Sequence, residues 1–294
     1  MAKAREGSLV AFFLLTYVVT WVTWTAAWLL SGGSESARYP GPGLPTLLFY
    51  LGVFAPALVA VALTARHQGR SGVGALLSRL IQLRAGFRWY AFALTYMAAI
   101  KLTAAIIHRL AAGEWPRFFG EPLYLMVAAT IGSTVLFGQA GEEVGWRGYA
   151  LPRLAARFGL AGASVVLGII WASWHLPLFF IPGIETTGQS FALYVIGVTA
   201  LSVAIAWLYA HTNGSLFLTM LMHSAINNTK DIVVSGALTP ANPFVLRASL
   251  LGWLTAGLLW ICAGFFLLRM RAQFGWRVDK TDLHSASPPS TPRM

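Results

Sequence analysis

About eight long apolar runs divide the chain, at roughly 8–30, 46–65, 89–109, 123–150, 161–181, 189–210, 214–229 and 247–269. A helix of about 20 apolar residues crosses the hydrocarbon core of a bilayer. In lipid only helices and closed barrels satisfy every backbone polar group. The expected fold is therefore all-α, a polytopic membrane protein of about eight transmembrane helices. Composition closes off the alternatives. Only 11% of the residues are charged and 57% are hydrophobic, against about 25% charged in a soluble domain, so polar side chains are too few to cover a water-facing surface. A disordered chain is excluded by the same numbers, because it would be poor in hydrophobic residues. One cysteine, Cys262, rules out a disulfide framework and a thiolate metal cluster.

The net charge of +11 would suggest a nucleic-acid partner in a soluble protein. In a membrane protein it reports cytoplasmic flanks, and no nucleic-acid partner is expected. Arg66, Arg70, Arg79, Arg84 and Arg88 crowd the loop after the second run. Arg147, Arg153 and Arg157 close the fourth, and Arg269, Arg271 and Arg277 follow the eighth. The loops after the first, third and fifth runs are nearly neutral, holding Glu35 with Arg38, Glu114 and Glu121 with Arg117, and Glu185. Both termini are thus expected in the cytoplasm. The first run, preceded by Lys3 and Arg5, is too long for a cleaved signal peptide and reads as a retained anchor. In the basic loop, Val73, Leu76, Leu77, Leu80 and Ile81 recur at helical spacing. They predict an amphipathic helix, either on the cytoplasmic leaflet or packed against the spans. Residues 277–294, polar and rich in Ser and Pro, are expected to form a disordered cytoplasmic tail after one transmembrane domain over 1–276.

Ionisable groups inside a span cost about 2.5–3.5 kcal/mol each on insertion scales and are functional candidates by default. Glu142 and Glu143 stand side by side in GEEVGWRGYALPRL, His175 lies in WASWHLPLFF, and His223 with Asn227 lies in MHSAINNTK. Glu143 and Arg147 are four apart and share a helix face. Their pairing as a structural ion pair would leave Glu142, turned by about 100°, to face elsewhere. His223 and Asn227 share a face in the same way, as do Trp171 and His175. Taking about 1.5 Å per residue, Glu142 lies roughly 22 Å above Arg157, His175 roughly 21 Å above Ala161, and His223 roughly 13 Å above Gly214. Three helices are thus able to converge on one polar intramembrane cavity. A buried carboxylate activates water as a general base, with His175 orienting that water or carrying a proton. His223 and Asn227 are then placed to donate to the oxyanion of an attacked carbonyl. This set suits amide hydrolysis without a Ser or Cys nucleophile.

The motifs EExxxR (Glu142, Glu143, Arg147), aromatic-xxx-His (Trp171, His175) and HxxxN (His223, Asn227) follow one another on successive runs. In this they resemble the CPBP family of intramembrane proteases, which includes the CAAX prenyl endopeptidases of the Rce1 type and the bacterial Abi proteins. The resemblance covers about residues 120–230. Trp171 stands where the eukaryotic prenyl proteases have Phe, which keeps an aromatic wall. The resemblance implies an intramembrane endopeptidase of a bacterial cell membrane, acting on a membrane-associated peptide or protein, prenylated in some members. It implies Glu142 and His175 as the water-activating residues and His223 with Asn227 as the oxyanion hole. Glu143, Arg147 and Trp171 would support them.

The alternative cofactor is zinc, held by Glu142, His175 and His223, because zinc accepts N and O ligands. No cofactor is the favoured reading, since Asn is a poor zinc ligand and the H-E-x-x-H signature is missing. Two other functions fit a polar set in a bilayer less well. A non-catalytic immunity or scaffold module gains nothing from buried ionisable groups. A proton-coupled transporter would favour inverted repeats with paired broken helices, and no internal repeat is evident. Residues 69–72 read GRSG, like the motif of rhomboid serine proteases. Ser71 sits in the basic loop rather than at the head of a span facing a His, so the match is by chance.

Overall fold

The computed structural model describes residues 2–32, 43–118, 122–136, 138–182, 184, 186, 188–230, 232–233 and 242–272. The expected tail at 277–294, together with Glu35, Arg38, Glu121, Glu185 and Arg277, lies outside the described residues. The protein is all-α and polytopic. Its helices are α1 (Ala2–Leu30), α2 (Leu44–Ser78), α3 (Phe87–Ala112), α4 (Leu123–Val135), α5 (Ala140–Glu143), α6 (Leu151–Trp174), α7 (Phe191–His211), α8 (Leu216–Thr229) and α9 (Leu250–Ala272). Among the described residues six helical runs are long and apolar enough to cross a membrane: 9–30, 44–81, 87–112, 140–174, 191–211 and 250–271.

Two expected spans take a different form. The run 123–150 is not one rod, because α4 ends at Val135 and α5 starts only at Ala140, with turn residues at 136 and at 138–139. From α5 the chain passes without interruption through a π-helical stretch, Val144–Ala150, into α6. That long run changes direction at Gly159, whose φ of 68° is a left-handed conformation that glycine adopts without strain. Hydropathy averages over such breaks, so it joined α4 to α5. α8 is only 14 residues long, about 21 Å, and compensates by sitting centrally. It packs against α3, α4, α7, α5 and the π-helical stretch.

Close approach of helices is arranged by glycine. A Cβ on Gly145 would lie 2.5 Å from the Pro56 Cβ, and one on Gly141 would lie 2.9 Å from the Val53 carbonyl oxygen. The π-helical stretch therefore lies directly on α2, and all of its residues are buried. Gly168 does the same for α6 against α7, where a Cβ would sit 2.7 Å from the Thr199 Cα. Next to it the Ser202 hydroxyl donates to the Ser164 carbonyl at 3.0 Å. Small residues and interhelical hydrogen bonds replace the hydrophobic effect as the means of joining helices in lipid. α7 carries no polar face and is buried from Val198 to Tyr209, as expected of a helix apolar all round.

The basic loop after α2 is docked. Gly69, with φ 66°, bends the chain, and Leu76 is buried while Leu77, Ile81 and Leu83 stay exposed. Arg79 Nη1 donates to the Tyr209 hydroxyl at 2.7 Å. Gln82 Nε2 donates to the carbonyls of Thr212 and Asn213. Ser215 caps α8 by accepting from the Leu218 N–H, and its own hydroxyl donates to the Gln82 carbonyl at 2.6 Å. The segment is thus packed on the spans through Leu76 while its other apolar face remains outward. Ser71 is exposed, and its hydroxyl donates to the Gln68 carbonyl.

Candidate active site

The carboxylates Glu142 and Glu143 stand at the end of α5, where the helix widens into its π-helical stretch. Such widened turns recur at functional sites. Glu143 turns inward and is fully buried. Its Oε1 accepts from Arg147 Nη1 at 2.8 Å and from His223 Nδ1 at 2.9 Å. Thr219, one helical turn before His223, brings its hydroxyl beside the same carboxylate. Arg147, placed by the charge pattern among residues closing a span, is instead completely buried in this pair. Among the described residues Glu143 Oε2 and Arg147 Nε and Nη2 have no hydrogen-bond partner. Buried polar atoms of this kind take water or ligand groups as partners.

Glu142 points the other way and is half-buried. Its Oε2 accepts from the Trp171 indole N–H at 2.6 Å. Trp171 is the centre of the site. Its carbonyl accepts from His175 Nδ1 at 2.9 Å, its ring lies 4.2 Å from the Arg147 guanidinium carbon, and its edge meets the His223 ring at 5.2 Å between centroids. One residue therefore touches Glu142, Arg147 and His223 through its indole and His175 through its carbonyl. The His175 ring lies within electrostatic reach of both Glu142 and His223, so the two imidazoles and the outer carboxylate share one pocket.

Hydrogen bonding assigns the imidazole protons. A carbonyl only accepts, so His175 carries its proton on Nδ1 and, when neutral, presents a lone pair at Nε2. His223 likewise donates from Nδ1 to a carboxylate, which leaves Nε2 for a substrate. Aromatic packing holds both frames in place. Trp174 lies 4.7 Å from His175 and Tyr194 lies 5.6 Å from it, ring to ring. Trp146 and Trp24 in turn flank Trp174 at 5.7 and 4.8 Å. Asn227, one turn beyond His223, is exposed at the end of α8.

Sequence reasoning treated Trp171 as a wall and missed its N–H donation to Glu142. The signal was its spacing of four from His175 combined with a donor that Phe lacks. It also missed Lys101, which is buried in α3 and donates from Nζ to the Val233 carbonyl at 3.2 Å. A lysine inside an apolar run was the available sign. Among the described residues no three His, Cys, Asp or Glu side chains are grouped as a metal ion requires, and one nitrogen of His223 is committed to Glu143.

Residues 121–229 match the family model described as type II CAAX prenyl endopeptidase Rce1-like. A curated protein of Methanococcus maripaludis, CAAX prenyl protease 2, is 27% identical over 232 residues, covering 76% of this chain and 83% of the relative. The matched segment runs from just before α4 to the end of α8 and contains every residue gathered around Trp171. Over this segment the chain is similar to the Rce1-like CAAX prenyl endopeptidases.

Proposed function

We propose that the protein is an intramembrane endopeptidase that hydrolyses a peptide bond of a membrane-associated polypeptide with activated water. The observation that carries this reading is the convergence of Glu142, His175 and His223 on Trp171. Glu142 keeps one oxygen for a water after accepting the indole N–H, and serves as general base. His175, through its Nε2 lone pair, orients the same water. The water proton passes to Glu142 and the oxygen attacks the carbonyl carbon. His223 Nε2–H and the Asn227 amide donate to the oxyanion that forms. Donation by Nε2 requires the doubly protonated ring, and the Glu143 carboxylate at Nδ1 pairs with that cation. As the intermediate collapses, the proton held by Glu142 goes to the leaving amine. No metal takes part, and no cofactor is required.

The name of the Methanococcus relative adds a prenylated protein to the candidate substrates. Peptide profiling of cells carrying wild-type or Glu142→Ala protein tests the proposal. Peptides or processed termini present only with the wild type are expected, and His175→Ala is expected to lose the same set. Identical profiles in all three strains, with each protein inserted and folded, would refute the endopeptidase and favour a non-catalytic module of the same fold.

A further inference from the structure

We infer that Trp21, on the N-terminal helix α1, is a positioning residue for His175. Its indole N–H closes the end of α6 from a separate helix and so fixes where the imidazole stands. The catalytic consequence rests on the endopeptidase reading of the site, whereas the geometry does not.

The last carbonyls of a helix have no partner within it and must find one elsewhere. α6 ends at Trp174, with His175 as its cap. The chain then tightens into a 3₁₀ turn, Leu176–Phe179. Two backbone donors would ordinarily reach the Trp174 carbonyl, from the residues three and four positions on. The first is Pro177, which has no N–H. The second is Leu178, whose N–H donates at 2.9 Å to the His175 carbonyl instead. The indole of Trp21 takes their place, its Nε1–H donating to the Trp174 carbonyl at 3.0 Å. That carbonyl and the His175 nitrogen belong to one planar peptide unit, so the indole sets the plane from which His175 departs. The ring is held in turn by its Nδ1–H bond to the Trp171 carbonyl at 2.9 Å. With plane and ring both tied, Nε2 is aimed in one direction.

Trp21 belongs to a stripe on α1 formed by Tyr17, Trp21 and Trp24, spaced so that all three share a helix face. The Tyr17 hydroxyl donates to the Ile170 carbonyl, one turn back along α6. The Trp24 ring lies 4.8 Å from that of Trp174 and 6.4 Å from that of His175. α1 is itself seated on α2. Trp24 Nε1–H donates to the Phe49 carbonyl at 3.1 Å, and the Thr20 hydroxyl donates to the Gly52 carbonyl at 2.9 Å. A Cβ on Gly52 would lie 2.5 Å from Trp24 Nε1, so glycine makes room for the indole. α2 also carries α5 and its π-helical continuation, through Gly141 and Gly145. One helix therefore sets the carboxylate end directly and His175 by way of α1. The first apolar run reads from the sequence as an anchor and lies outside the matched residues 121–229. Its second task is to hold a residue of the site.

Imidazole nitrogen NMR of the full-length protein in detergent, labelled with ¹⁵N-histidine, tests this without requiring turnover. The His175 signals are assigned by their loss in His175→Ala. Trp21→Phe keeps a ring and removes the N–H; Trp21→Leu replaces it if that variant does not accumulate. Trp260→Phe is the control, because Trp260 Nε1 donates to the Ile196 carbonyl at the same 3.0 Å, between α9 and α7. The His175 signals are expected to shift or broaden in Trp21→Phe and to match wild type in Trp260→Phe. On a fluorogenic peptide copied from a terminus that the wild type processes, kcat of Trp21→Phe is expected to fall about tenfold, the weight of one hydrogen bond, with KM retained. Trp260→Phe is expected to keep both constants. Unmoved His175 signals in Trp21→Phe overturn the inference, as does an equal change in the two variants, or a kcat that stays at the wild-type value. Moved signals in a protein that cleaves nothing support the positioning and refute the endopeptidase reading alone.

Discussion

At the scale of single residues, Trp171 and Glu143 separate two kinds of importance. Trp171→Phe keeps the aromatic ring but removes the N–H that holds Glu142 at 2.6 Å. A hydrogen bond to a charged group contributes about 1.5–3 kcal/mol. Turnover is expected to fall by roughly 10- to 100-fold with the thermal midpoint nearly unchanged, as steady-state kinetics and melting in detergent would record. Glu143→Gln acts on stability instead. It leaves Arg147 buried without its carboxylate partner, a loss of about 3–5 kcal/mol, visible as a large drop in melting temperature. Under the proposed mechanism, in which Glu142, His175 and His223 act on water directly, chelators are expected to leave turnover unchanged. Inhibition by a chelator that is reversed by added zinc would contradict the metal-free mechanism.

At the scale of elements, the position of the two carboxylates depends on how near α5 and its π-helical continuation come to α2. Gly145→Val introduces a Cβ at 2.5 Å from Pro56, and neither backbone has room to retreat within the packed bundle. Overpacking of this kind costs about 1–3 kcal/mol. It is also expected to tilt α5 and misplace Glu142, so loss of turnover should exceed loss of stability when both are measured on one preparation. The spacing of Glu143, Arg147 and Trp171 was legible in the sequence as shared helix faces. The π-helical widening was not, because it arises from contacts with α2 and α8 and leaves no signature in local propensity. The break between α4 and α5 was hidden for a related reason. Hydropathy records only that residues 123–150 are on average apolar, and two helices joined by a short turn satisfy that record as well as a straight rod.

At the scale of the whole molecule, the outer surface is an apolar belt, including Val10, Leu47, Leu58, Leu94, Ile131 and Ile261, all exposed. Ile261 and Leu268 on α9 are 71% and 68% exposed, yet one is at the middle of its helix and the other adjoins Arg269 at the end. Ile261→Arg is expected to lower the membrane-inserted, folded yield sharply, since a charge at mid-span costs about 2.5–3.5 kcal/mol. Leu268→Arg is expected to leave it near wild type, because the side chain reaches the interface. Equal yields in a quantitative insertion assay would argue that this surface does not face lipid.

The amino-acid order alone determined that this chain lives in a bilayer as helices, because apolar runs of spanning length have no other way to satisfy their backbone. It also singled out Glu142, Glu143, Arg147, His175 and His223, because ionisable groups are too costly in lipid to be incidental. Only the tertiary structure decided which of these groups share hydrogen bonds. The indole of Trp171 reaching Glu142 across 29 positions, and His223 reaching Glu143 across 80, depend on the angles at which separate helices meet. Those angles are set by interhelical packing at positions such as Gly145 and Pro56, which spacing within one helix does not encode.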